Sequence, residues 1–231
     1  MSHAEQRGFF AAVAEANRHL VAGARVLEIG SYDVNGSVRA LFCAADDYTG
    51  VDLEHGPGVD VVSFGHQVDH ADGGYDITIS GECFEHDPHW AKTFQNMVRM
   101  TRPGGLVTFS CASVGRPEHG TARTDRTDSP GTQAVGLDYY RNLTAVDFEQ
   151  LPLQSMFSRW RFWYLPTHFD LYFVGAKLGE TRVQFPADDA IRSLRRLMPL
   201  GDRLARIPMR LLANTVSPQR YQSMILPLWS H

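Results

Sequence analysis

Glu28, Gly30 and Asp52 have the residue types and spacing to act on one ligand. Val26-Leu-Glu-Ile-Gly30 is an apolar run ending in an acid and a glycine, and Tyr48-Thr-Gly-Val-Asp52 is a second run ending in an acid. Two neighbouring parallel strands that end this way hold a nucleotide-type ligand at their carboxyl ends. The glycine lets backbone approach the ligand, and Asp52 can bind two ribose hydroxyls. Ser31, Asp33, Asn35 and Gly36 add polar groups in the turn between the runs, although Asn35 serves equally well as a helix cap. For either acid the alternative is an ordinary solvated strand end.

A second concentration of reactive types is Gly81-Glu-Cys-Phe-Glu-His-Asp87, after another apolar run. Glu85 and His86 could face a bound molecule or simply open the next helix, where acids are favoured. His119 stands in Arg116-Pro-Glu-His-Gly120, inside a stretch rich in Gly, Pro, Thr, Arg and Asp over residues 113–142. A loop of that length in a compact domain is usually a functional lid or disordered.

Alternating strands and helices must position these groups. The pattern predicts a helix over residues 4–21, a strand over 25–30, a helix from Asn35–Gly36 to about Ala44, and a strand over 48–52. A short turn over 53–58 leads to an apolar run over 59–62, followed by a strand over 75–80, a helix over 88–100 and a strand over 106–111. A helical piece near 144–151, a closing strand pair (159–164 and 170–176) and an Arg-rich helical tail over 187–214 complete the chain. The expected fold class is α/β, a doubly wound, mainly parallel sheet. The chain has 231 residues, 43% hydrophobic and 21% charged, which suits one domain with a substantial core. A net charge of −4 gives no basic field for nucleic acid. Three dispersed cysteines form no disulfide framework or CxxC pair, as in a reducing cytosol. The first helix lacks both a signal's apolar core and bilayer-spanning length, so the expected location is cytoplasmic. The Arg-rich tail is expected to pack on the domain or form a homodimer contact rather than lie on a membrane.

These motifs, in this order, resemble a class I S-adenosylmethionine-dependent methyltransferase. Val26-Leu-Glu-Ile-Gly30 resembles the family's glycine loop and Gly50-Val-Asp52 its ribose acid. Tyr75-Asp-Ile-Thr-Ile-Ser-Gly-Glu-Cys-Phe-Glu-His86 is similar to its fourth strand, and Arg102-Pro-Gly-Gly105 to the turn before the fifth. The resemblance implies a seven-stranded Rossmann-like domain over residues 1–178, with an acceptor-side lid over 113–142 and a helical extension over 179–231. It implies S-adenosylmethionine held by Glu28, Gly30, Ser31, Asn35, Gly36, Asp52, Leu53, Phe64, Gly81 and Glu82. Tyr32 stands where the family's loop has a second glycine, and Ser63-Phe64-Gly65-His66 replaces its usual acid near the adenine. Phe64 would then stack on the ring.

Gly30-Ser-Tyr-Asp-Val-Asn-Gly-Ser-Val-Arg39 is similar to a variant loop in methyltransferases found with bacterial glycan-modifying enzymes. Gly115-Arg-Pro-Glu-His-Gly-Thr121 and Asp138-Tyr-Tyr-Arg-Asn-Leu-Thr144 resemble that group's acceptor-side loop. The implied reaction is O-methylation of a sugar or oligosaccharide, with a mannose-type polysaccharide precursor among the acceptors. An alcohol is a poor nucleophile until its proton leaves, so a base or metal is required. His119 is the first choice of base, His86 the second, and Glu85 faces the acceptor beside them. Glu118 would orient His119, while Tyr139, Tyr140, Arg141 and Asn142 offer rings and polar forks to a sugar. Each of these residues could instead serve only the lid's own packing, and His119 could be a solvent-exposed loop histidine. A magnesium site would draw on Glu85, His86, Asp87 and His89, whereas zinc is disfavoured because no cysteines cluster with histidine. Ser80-Gly-Glu-Cys83 differs from the Asp/Asn-Pro-Pro-aromatic pattern of enzymes that methylate nucleobase amines. A small-molecule N- or C-methyltransferase and a non-catalytic cofactor-binding scaffold are the alternatives.

Overall fold

The computed structural model describes residues 3–229. Its strands are β1 (Arg25–Ile29), β2 (Asp47–Asp52), β3 (Val61–Val62), β4 (Tyr75–Gly81), β5 (Thr101–Ala112), β6 (Phe157–Leu165) and β7 (Asp170–Lys177). They form one sheet in the order β3-β2-β1-β4-β5-β7-β6. β1 to β5 run parallel, and β7 lies antiparallel between β5 and β6. Strand order reverses between β1 and β4, which opens a crevice at their carboxyl ends.

The apolar runs are continuous because the central strands are covered on both faces. Val26 joins Phe9, Phe10 and Val13 of helix Ala4–Ala16 on one side. Leu27 and Ile29 join Phe94 and Met97 of helix Trp90–Met100 on the other. That second face is aromatic: Phe109 stacks on Phe148 at 4.5 Å and on Phe173 at 4.9 Å between ring centroids. Rings of this size fix the spacing between the sheet and the segment carrying Phe148, from which the chain enters β6.

The sequence pattern errs in one crossover. No α-helix follows Asn35; the connection from β1 to β2 holds only a 3₁₀ turn, Arg39–Phe42. The Asp33 carboxylate accepts the Gly36 N–H at 2.6 Å, and the Ser37 hydroxyl accepts that of Arg39 at 3.0 Å. These short side chains offer backbone donors a local alternative to helix. Asn35 is therefore not a helix cap. Elsewhere the run expected over residues 59–62 pairs only as Val61–Val62, while β5 begins earlier than expected, at Thr101.

Residues 113–142 fold down onto the body, with a 3₁₀ turn at Arg126–Asp128 and a short helix at Pro130–Ala134. Beyond β7 come the helices Asp188–Ser193, Leu200–Ala205, Ile207–Ala213 and Pro218–Trp229. Ile191, Met198, Met209, Tyr221 and Ile225 anchor them. Leu197, Leu200, Leu204, Ile207 and Leu211 are exposed, so this apolar stripe faces outward rather than into the core. Among the described residues no helix is long and apolar enough to cross a membrane.

Candidate functional site

The crevice at the carboxyl ends of β1, β2 and β4 is lined by Glu28, Gly30, Ser31, Asn35, Gly36, Asp52, Leu53, Phe64, Gly81 and Glu82, together with His86. All ten residues expected to hold the cofactor thus face one cleft. Gly30 has φ 81°, and a Cβ there would lie 2.6 Å from that of Cys83, so only glycine permits this turn against β4's exit. Asp52 ends β2 with one carboxylate oxygen accepting the Tyr32 N–H at 2.9 Å and the other the Leu53 N–H at 2.7 Å. It ties the glycine loop to the neighbouring strand while keeping lone pairs for a ligand. Burial raises its carboxyl above the usual range, with those two N–H groups opposing.

Glu28 lies deeper on the same wall. Burial pushes its carboxyl up to about 7, opposed by the Tyr48 hydroxyl, which donates to it at 2.7 Å, and by the Arg39 guanidinium. Such an acid gains most from an incoming ammonium group. The buried Ser31 hydroxyl on this wall has no hydrogen-bond partner. An unpartnered hydroxyl, a buried acid and a strand-end acid match the ammonium and ribose ends of S-adenosylmethionine, so the residues present fit the group.

The segment expected over the acceptor also covers the cofactor cleft. Asp128, Ser129, Pro130, Gly131, Thr132 and Leu137 line it. A Cβ on Gly131 would lie 2.4 Å from Asp52 Oδ1, so the short helix Pro130–Ala134 rests directly on Asp52.

Beyond Glu82 the cleft meets a buried polar network. Glu82 has φ 52°, a left-handed backbone that non-glycine residues rarely adopt. Its N–H donates to Ser110 O at 3.0 Å, and its carboxylate accepts from the Ser110 hydroxyl at 2.9 Å. Gln6 donates to that same hydroxyl at 3.2 Å. Arg116 lies between Asp170 at 3.1 Å and Glu82 at 3.6 Å, and His3 meets the other Asp170 oxygen at 2.7 Å. Burial alone would raise the Asp170 carboxyl, but Arg116 and His3 outweigh it and hold it down to about 2.

His86 and His119 face each other beside this network, Nε2 to Nε2 at 3.4 Å with the rings nearly perpendicular. His86 lines the cleft, and His119 is buried behind it. Burial drives the His86 imidazole down to about 3 and holds that of His119 well below the ordinary range, so both are neutral. Glu85 is fully buried beside them. Burial raises its carboxyl to about 8, and the neighbouring Glu82 adds to the shift.

The remaining expected residues separate. The Tyr140 ring packs on both imidazoles at 5.1–5.4 Å and its hydroxyl donates to Pro117 O. The Asn142 amide donates to Arg116 O. The Glu118 carboxylate accepts from the Thr121 hydroxyl and pairs with Arg123 rather than orienting His119, whose Nδ1 lies 3.2 Å from Pro117 O. The Arg141 guanidinium pairs with Asp147, away from the cleft, and Tyr139 is not among the cleft-lining residues. Asp87 accepts from the His89 N–H and the Thr93 hydroxyl, and the His89 ring meets His66 at 4.4 Å. The expected four-residue magnesium set therefore does not converge. Sequence reasoning missed Gln6, Tyr48, Gly131 and Asp170, and the buried role of Arg116. Only Tyr48, flanking the second strand motif, carried a local signal.

Comparison with known proteins agrees with this geometry. The sequence pattern of a methyltransferase domain matches residues 1–178. No curated protein matches the chain. Among solved structures, the 1,6-didemethyltoxoflavin N1-methyltransferase of Burkholderia thailandensis, which holds 1,6-didemethyltoxoflavin and S-adenosylhomocysteine, superposes with a TM-score of 0.51 at 20% identity. The match covers 74% of this chain and 78% of that one. The YcgJ protein of Bacillus subtilis also gives 0.51, at 15% identity over 96% of this chain and 88% of that one. At these identities the likeness speaks for the fold alone. The matched family spans most of the chain, and the chain belongs to it: this protein is an S-adenosylmethionine-dependent methyltransferase of the methyltransferase-domain family.

Proposed function

We propose that this enzyme methylates a hydroxyl of a sugar, an oligosaccharide or a comparably polar small molecule, a mannose-type polysaccharide precursor among them. The observation that carries the reading is the wall where the cleft ends: Gln6, Glu82 and His86 line it, with His119 behind. Gln6 Oε1 and Glu82 Oε2 are buried there without a hydrogen-bond partner among the described residues, which suits an acceptor with many hydroxyls. S-adenosylmethionine supplies the methyl group. Glu28 receives its ammonium end and Asp52 its ribose hydroxyls, while Phe64 lies where the adenine would stack. The polar wall holds the acceptor oxygen in line at about 3–3.5 Å, and the lid segment keeps water out. His86 touches the cleft and deals with the hydroxyl proton; His119, the base expected from sequence, acts through it.

The reading sets the reaction in the cytoplasm on a small-molecule or oligosaccharide acceptor, without nucleic acid. The outward leucine stripe supports a homodimer contact. Two measurements test the reaction. With methyl-labelled S-adenosylmethionine and a panel of mannosides, other sugars, amines and carbon acids, label is expected on a sugar oxygen. Label confined to nitrogen or carbon would favour the runner-up methyltransferases, and cofactor binding without any transfer would favour a scaffold. In His86→Ala and His119→Ala, turnover is expected to fall about a hundredfold or more. Near-normal turnover with an unchanged pH profile in His119→Ala would remove it from the proton path.

A further inference from the structure

The geometry points to a divalent transition-metal site formed by Glu85, His86 and His119, of the zinc and cobalt class. One ligand atom from each residue lies within 4.8 Å of the others, and all three residues are buried. The two Nε2 atoms stand 3.4 Å apart. Nitrogens bound at about 2.0–2.1 Å to one tetrahedral ion would be about 3.3–3.4 Å apart, which matches this spacing. His119 Nδ1 lies 3.2 Å from Pro117 O, and donation there leaves Nε2 as the lone-pair nitrogen facing His86.

Glu85 supplies the independent observation. Neither of its carboxylate oxygens has a hydrogen-bond partner in another described residue, although the residue is fully buried. Arg116 pairs with Asp170 and Glu82 and makes no ion pair with Glu85 among the described residues. An orphaned buried carboxylate is expensive, and a cation between it and two imidazoles would remove the cost. The other convergence of ligating types, His3, Glu82 and Asp170, already has its cation in the Arg116 guanidinium. Two imidazoles and one carboxylate favour zinc, cobalt, iron or nickel over magnesium. Cysteine is not needed in such a set, which revises the sequence-based argument against zinc. The set also leaves ligand positions open. Because His86 lines the cleft, an ion here would bind an acceptor oxygen and lower its pKa, and with both Nε2 atoms as ligands it would take the place of the proton path through His86 and His119. That role rests on the proposed O-methylation; the site itself does not.

The test is metal binding by the full chain after chelator treatment, with any affinity tag removed. Zinc titration by calorimetry should give one site per chain. Cobalt should give visible absorption bands of a four- or five-coordinate site, displaced by zinc. Glu85→Gln and His119→Ala should each weaken zinc binding about a hundredfold or more, while His89→Ala leaves it unchanged. Circular dichroism and retained S-adenosylhomocysteine binding verify that each variant is folded, and Glu85→Gln is near-isosteric should His119→Ala fail to fold. Absence of zinc and cobalt binding, or zinc affinity unaffected by Glu85→Gln, would overturn the site. Either result would leave the O-methylation reading standing, since that is judged separately by label transfer.

Discussion

The two ends of the cleft are built on opposite principles. At the edge of β1 and β2, single acids are held by backbone N–H groups of the strand end and the turn beside it: Asp52 by the adjacent Leu53 and by Tyr32 of the loop after β1, and Asp33 within that loop by Gly36. At the edge of β4, β5 and β7, charged side chains converge from distant parts of the chain and leave solvent together. Arg116 and Asp170 are 54 positions apart, and Gln6 and Ser110 are 104 apart. The first end is a local motif that can receive one fixed ligand. The second depends on residues 113–142, the first helix and β7 all being docked.

The largest expected effect comes from breaking the second end. Arg116→Met leaves Asp170 and Glu82 buried without their shared cation, which should cost about 3–5 kcal/mol of stability. Urea unfolding monitored by tryptophan fluorescence reads this directly; a loss below 1 kcal/mol would mean that the network is not a buried ion cluster.

A smaller effect sharpens the link between the ends. Gly131→Leu places side-chain atoms where Asp52 Oδ1 lies, 2.4 Å from the Cβ position, so the lid helix must lift. S-adenosylhomocysteine should then dissociate several-fold faster in stopped-flow measurements, with little change in stability. An unchanged rate would separate the lid from the cofactor.

The smallest effect is a pH shift at the first end. The Glu28 carboxyl sits at about 7, so it is charged above that pH and neutral below it. Affinity for the cofactor's ammonium should be full near pH 8 and fall as pH drops through 7. In the free protein the sign is opposite: burial favours the neutral acid, so this stabilising contribution is complete below about pH 4.5 and lost as pH rises through 7. Tyr48→Phe removes a hydrogen bond that lowers the pKa and should move the binding midpoint upward. Calorimetry at stepped pH would show either that shift or a flat profile, the latter excluding Glu28 as the ammonium acceptor.

The same contrast explains what could be read in the sequence. The parallel sheet and the strand ends follow from short apolar runs and the turn residues beside them, which are local signals, and the ten expected cofactor residues come from the family resemblance that those motifs carry. Helix formation after Asn35 failed for a local reason as well, since Asp33 and Ser37 hold backbone donors that a helix would need. The buried pairing of Arg116 was not legible because its partners, Glu82 and Asp170, enter from β4 and β7. Gly131 looked like a loop residue because its contact with Asp52 exists only once the lid is folded down. The pairing of His86 with His119 had no spacing rule to reveal it, although both residues were singled out separately.

The central claim is that the β1–β2 end of the cleft binds S-adenosylmethionine, and its most direct test is calorimetric binding of S-adenosylhomocysteine to the wild type and Asp52→Ala. The account predicts one site per chain in the wild type and at least a tenfold loss in the variant, because charge-assisted bonds to the ribose hydroxyls disappear. A folded wild type that does not bind, or an Asp52→Ala variant that binds equally well, would contradict it.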